Sequence, residues 1–197
     1  MKVNVVILEI SGVTEHFGVP IEDVDMIMSS LENAIASTGG FCVGRSYIVA
    51  HQRLSGQGYC FSASLPPLLA TAASEALHII EEQPERIAKT QQLSCLAHTL
   101  LQKVLDGTGF VLRGVEQSPM KHIGYDGDKQ LAETKLDALV DYMFDDHSIL
   151  LTRARYLDSE EAFSVAPSIR FMVQYAMTEE ELQKTTEAIG IVVNEKL

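Results

Sequence analysis

The sequence predicts an α/β protein, on three observations. Apolar residues recur at three- and four-residue spacing over 65–80, 87–104, 129–144 and 179–193, the period of helices with one buried face. Between the later helical stretches lie short β-like runs at 110–112, 120–125, 149–153 and 169–173. Glycines 39, 40, 44, 56 and 58 crowd one segment, where the chain must bend or approach something closely. Hydrophobic residues make up 46% of the 197, enough to bury a real core, so global disorder is a poor reading.

Taken in order, residues 1–18 read as a strand and a Gly-bounded loop, and Pro20 opens a short acidic segment, a helical turn leading into a strand by Leu31. Alternation over 46–50 predicts a strand, and 58–63 a second extended piece. Ser64, ahead of Pro66 and Pro67, predicts a helix N-cap, with Leu65, Leu68, Leu69, Ala72, Ala73, Ala76, Leu77 and Ile80 as its apolar stripe up to Glu82. Pro84 opens the next helix, stopped at Gly107. From Gly109 the texture is that of a compact α/β layer domain, and Thr178 with Glu181 forms a capping box at the head of the last helix. The boundary between the two parts falls between residues 83 and 92.

The formal charge of −12, with only 15 Lys and Arg, excludes an extended phosphate-backbone surface, so nucleic acid is not a partner and proteins or small molecules are. Cys42, Cys60 and Cys95 lack metal-ligand spacing and are odd in number, which predicts reduced, mostly buried thiols. No apolar run is long enough to span a bilayer, at roughly 18 residues. The apolar start over residues 1–10 has no signal-peptide cleavage pattern; it reads either as an ordinary first strand or as sequence standing in place of an authentic upstream region.

None of the histidines, at 16, 51, 78, 98, 122 and 147, has metal-ligand spacing, and they read as surface or hydrogen-bonded core residues. Ser55, Ser62 and Ser64 lie near His51, yet no nucleophile-elbow motif is present, so a serine hydrolase is a weak reading. Ser62, Ser64 and the start of the Leu65 helix have the chemistry to cradle a phosphate; the alternative is a plain N-cap with packing glycines.

Three segments carry a resemblance: GVTEHFG at 12–18, GGFC at 39–42 and, most specifically, HQRLSGQGYCFSASLPP at 51–67. They resemble the subunit 1 family of eukaryotic serine palmitoyltransferase, within the α-oxoamine synthases, and LTRARYL at 151–157 and PSIR at 167–170 continue it more loosely. The resemblance implies the C-terminal part of the aminotransferase-like fold. Residues 1–90 would then be the end of the large pyridoxal-phosphate-transferase domain, with 1–11 outside the family, and 91–197 a small C-terminal α/β domain with an antiparallel sheet. It also implies an endoplasmic-reticulum membrane assembly on the cytosolic face, with long-chain-base subunit 2 as catalytic partner and small regulatory membrane subunits.

Catalytic relatives resemble T-F-T-K-S before a Gly-Gly pair, whereas this chain reads NAIASTGG over 33–40, with Ala36 at the lysine position. A methyl group can form no imine and abstract no proton, so the resemblance implies no catalytic residue in this chain and pyridoxal phosphate bound covalently by the partner. Where relatives resemble A-R-x-R and then A-A-H-T, this chain has Ser168 for the first arginine, Arg170 matching the second, and Met177 for the histidine. Hydroxyls before the Pro-Pro helix reach a neighbour's cofactor phosphate in relatives, which makes Ser62 and Ser64 cofactor-contact candidates, although Ala63 removes one hydroxyl. The reading is a non-catalytic subunit supporting condensation of serine with palmitoyl-CoA to 3-ketosphinganine, and a piece of a longer protein; the alternative is an interaction fragment that binds the catalytic subunit nonproductively.

Overall fold

The computed structural model describes residues 13–156 and 160–197; the strand expected over 1–10, Gly12 and Leu157 lie outside the described residues. The chain forms two compact units, Met1–Ile87 and Ala88–Leu197.

In the first unit a short α1 (Val13–His16) and a 3₁₀ turn (Ile21–Asp23) precede an antiparallel pair, β1 (Met26–Ser30) and β2 (Gly40–Gly44), in the register Met26 to Gly44 and Ser30 to Gly40. Then follow α2 (Ser46–Ser55), the single turn α3 (Gln57–Cys60) and α4 (Pro67–Glu82). The core is small: Leu31, Ile35 and Ala73 are buried, with Phe41, Leu65, Ala76, Leu77 and Ile80 packed around them.

Three local expectations are corrected here. Residues 46–50 are helical, not extended, because the half-buried positions Ile48, Val49, Gln52 and Gly56 recur at helical spacing, and packing overrides the β propensity of Ile-Val. Residues 57–60 close one helical turn, with Cys60 N donating to Gly56 O at 2.9 Å, so the extended piece shrinks to the stretch after it. Ser64 is not the N-cap: Pro66 is, at φ −54° and ψ 134°, with no side-chain cap. Each proline pushes the residue before it out of the α region, so the helix starts only at Pro67. Leu68 is 78% exposed, so the buried stripe of α4 is narrower than its sequence pattern.

The second unit is built on α5 (Glu85–Leu105), whose first residues close the preceding unit, then β3 (Phe110–Arg113), β4 (Met120–Tyr125), α6 (Lys129–His147), β5 (Thr152–Ala154), β6 (Ser168–Met172) and α7 (Glu179–Glu195). The four strands form an antiparallel sheet in the order β3-β4-β6-β5. One face of the sheet, carrying Phe110, Ile123, Ile169 and Phe171, joins Leu101, Leu136, Leu139, Met143, Leu182, Ile189 and Val192 from the helices in one core. The capping box is present: Glu181 N donates to Thr178 Oγ1 at 3.1 Å and Thr178 N to Glu181 Oε2 at 2.8 Å. The strand expected from Ile149 begins at Thr152, because the left-handed cap Ser148 (φ 56°) and the bond from Ile149 N to Met143 O use those residues to end α6.

The thiols are free as expected, but they are not mostly buried: Cys60, on the single turn α3, is exposed, and Cys42 and Cys95 are half-buried. Among the histidines, His98 departs from the satisfied reading, its Nδ1 being buried without a partner. No helix among the described residues is long and apolar enough to cross a membrane.

Candidate functional site

Ala36 sits in the hairpin loop between β1 and β2, a position fixed from several sides. Leu31 N donates to Gly39 O and Ser37 N to Leu31 O, both at 2.9 Å, closing the loop on itself. Leu31 and Ile35 plug it into the small core, and Ser37 Oγ donates to Leu69 O at 3.0 Å in the first turn of α4. The exposed Ala36 is held between these anchors at φ 54°, a left-handed conformation that costs an L-residue roughly 1–2 kcal/mol. No lysine occurs between Lys2 and Lys89, so nothing in the described part of the first unit offers an amine for an imine.

Gly39 and Gly40 have packing reasons. A Cβ on Gly39 (φ 99°) would stand 2.7 Å from Leu65 Cδ1, and one on Gly40 2.9 Å from Ser29 O. They admit β1 and the α4 lead-in to close contact, which favours the packing alternative over a phosphate cradle. The same contact brings the lead-in carrying Ser62 and Ser64 beside the loop that carries Ala36. Both serines are exposed, and Ser62 Oγ bonds only Ala63 O at 3.5 Å. Ser55 Oγ donates to the His51 carbonyl at 2.8 Å and so makes no serine–imidazole pair there. Among the described residues no group of three or more His, Cys, Asp or Glu side chains could hold a metal ion.

In the second unit the two departures from the catalytic pattern are structural. Ser168 is buried and its Oγ lies 2.9 Å from His122 Nδ1, a hydrogen bond across β4 and β6. Met177 packs against the core. Arg170 is exposed on the other sheet face, in register with His122 and Thr152, and makes no ion pair among the described residues. It borders an open groove of about 780 Å³ along α6 and β5, also lined by Asp137, Asp141, Arg153 and Arg155. Sequence reasoning missed the His122 neighbourhood and Lys121, which is fully buried. Lys121 Nζ donates to Val115 O at 2.8 Å and Glu116 O at 2.6 Å, tying down the β3–β4 loop. Burial lowers its pKa against the opposing pull of Cys95 and Glu116. The available signal was the alternation of Lys121 with His122 in a strand with one buried face.

The family pattern described as aminotransferase class I and II matches residues 9–189. The chain belongs to that family. Among curated members, serine palmitoyltransferase 1 of Dictyostelium discoideum is 33% identical over 184 residues, 90% of this chain and 38% of its own length. The chain thus spans well under half of that relative. Among solved members, Sphingomonas wittichii serine palmitoyltransferase superposes with TM-score 0.70 at 21% identity, over 91% of this chain and 42% of that one. A serine palmitoyltransferase solved with pyridoxal phosphate gives 0.65 at 20%, with the same coverage. Within this aminotransferase-like fold the described residues form antiparallel sheets with helices, as the resemblance implied.

Proposed function

We propose that this chain is part of a non-catalytic subunit of a serine palmitoyltransferase assembly in sphingolipid biosynthesis. The observation that carries the reading is the loop around Ala36: it is braced like a site, yet it presents a methyl group, and no lysine lies between residues 2 and 89. The likeness to serine palmitoyltransferase 1 supports the reaction class, condensation of serine with palmitoyl-CoA to 3-ketosphinganine.

Pyridoxal phosphate, held by catalytic long-chain-base subunit 2, would supply the electron sink. The residues of this chain do not fit a covalent holder of that group. They fit a neighbour that reaches it: Ser62 and Ser64 are exposed hydroxyls on a lead-in stiffened by Pro66 and Pro67, able to donate to the partner cofactor's phosphate. The rest of the chain would act by bracing, with the β1–β2 loop and α4 held as one piece through Ser37 and Leu65. Small regulatory membrane subunits and an endoplasmic-reticulum location on the cytosolic face belong to the same proposal.

The test is co-expression with the catalytic subunit, borohydride reduction, and mapping of the fixed cofactor by mass spectrometry. The cofactor is expected on the partner alone, with ketosphinganine formed only when both chains are present. Cofactor fixed to Lys89 or another lysine of this chain would overturn the non-catalytic assignment. Association that leaves turnover absent or lowered would overturn the supporting role in favour of a nonproductive binder. Ser62→Ala is expected to weaken cofactor retention by the partner, and unchanged retention removes Ser62 from the site.

A further inference from the structure

Arg113, His122 and Arg170 occupy neighbouring register positions on three adjacent strands, Arg113 opposite His122 and His122 opposite Arg170. Directly opposed residues project from the same side of a sheet. Here it is the side away from the core, because the alternate residues Leu112, Ile123 and Ile169 point into it. Arg113 and Arg170 thus flank one imidazole from the two neighbouring strands, and their like charges repel across it. Neither guanidinium has a hydrogen-bond or ion-pair partner among the described residues, in a chain whose net charge is −12.

We propose that the Arg113–His122–Arg170 row is a binding site for a doubly charged tetrahedral oxyanion of the phosphate-monoester class. Strands lie about 4.8 Å apart, so the two arginine backbones stand about 10 Å apart with the imidazole between them, a span their side chains close over one anion. Arg113 already leans inward. The outward position after His122 on β4 is Gly124, and a Cβ there would stand 3.1 to 3.3 Å from the Arg113 guanidinium, which therefore lies across β4 in the space a side chain would fill. Ser168 Oγ holds His122 Nδ1 at 2.9 Å and fixes the ring, so that Nε2 is the nitrogen left for a ligand. Two guanidinium groups match the double charge of a phosphate monoester and its bidentate oxygen geometry, where one carboxylate would leave a positive charge unmet.

Of the two carboxylates nearest the row, Asp137 is already engaged by other arginines. Asp137 and Asp141 on α6 border the groove that Arg170 enters, together with Arg153 and Arg155 from β5 and the residue after it. Asp137 Oδ1 is engaged by Arg153 at 2.6 Å and Arg155 at 3.5 Å. In the empty row, burial first, then Arg170 and Arg113, lower the pKa of the imidazole. A bound dianion offsets both arginines and favours the imidazolium, so binding tightens on acidification.

The inference stands independently of the assembly proposed above. Its test is calorimetric titration of the full chain with inorganic phosphate and with sulfate, which stays doubly charged, at about pH 7.5 and 5.5. Saturable binding to one site is expected, tighter for sulfate at the lower pH. Arg113→Ala and Arg170→Ala are each expected to weaken it about ten-fold or more, the loss of one charge-assisted contact, and Arg170→Lys less. His122→Gln is expected to remove the pH gain while leaving affinity at the higher pH. Both arginines are exposed, so circular dichroism is expected unchanged in these variants. Absence of saturation, affinity unmoved by both alanine variants, or acetate binding as tightly as sulfate would overturn the proposal.

Discussion

Removing Asp137 and removing Arg153 break the same ion pair, and the structure predicts very different costs. The Arg153 side chain is only 8% exposed; Nη1 donates to Asp137 Oδ1 at 2.6 Å and to Glu133 O at 3.0 Å, while Nε is buried without a partner. The Asp137 side chain is 46% exposed and keeps Arg155 within 3.5 Å. Asp137→Ala therefore strands a buried guanidinium that already lacks one bond. Stranding a buried charge costs about 3–5 kcal/mol, reduced here to about 2–3 because water reaches the vacated side. Alanine returns about 0.5 kcal/mol of helix propensity in α6, leaving a net loss of about 2 kcal/mol. Arg153→Met instead removes the charge from its apolar surroundings and leaves a carboxylate that water and Arg155 satisfy; the expected change is within about 1 kcal/mol. The assay is amide hydrogen exchange of the most protected amides on α6 and β6, with urea melts alongside, because two units need not unfold together. Equal losses for the two variants, or a larger loss for Arg153→Met, would refute the reasoning.

Thr178→Ala removes the acceptor for Glu181 N and is expected to destabilise the second unit by about 1 kcal/mol, read from the same exchange experiment. Ala36→Gly relieves the left-handed strain in the hairpin loop, with an expected gain of about 1 kcal/mol in the first unit by urea melt. His122 has its pKa lowered from 6.5 by burial and two arginines, so the unfolded chain takes up a proton first. Its contribution to stability is complete above about pH 6.5 and is lost as pH falls from there through the folded pKa. Melts of wild type and His122→Gln across that window should diverge in this sense, and NMR titration of the imidazole should give a folded pKa below the unfolded one.

Most of the second unit was legible in the sequence because each element is locally consistent. Its helices carry wide apolar stripes, β4 alternates, and the capping box at Thr178 and Glu181 is a contiguous four-residue signal. The first unit was less legible because its core is thin. Residues 46–50 alternate like a strand, yet they belong to a helix that packs against β2; Pro66 and Pro67 delay a helix whose apolar pattern starts earlier.

The sequence by itself determined that the stretch between Lys2 and Lys89 holds no lysine and so offers no side-chain amine for an imine, whatever the fold. It also carried the run at 51–67 on which the family resemblance rests. Only the tertiary structure decided that Gly39 and Gly40 stand where a Cβ would collide, that Ser168 is a buried partner of His122, and that Arg113, His122 and Arg170 form one row. The physical reason is that strand register joins residues nearly sixty positions apart, and no local periodicity encodes which strands become neighbours.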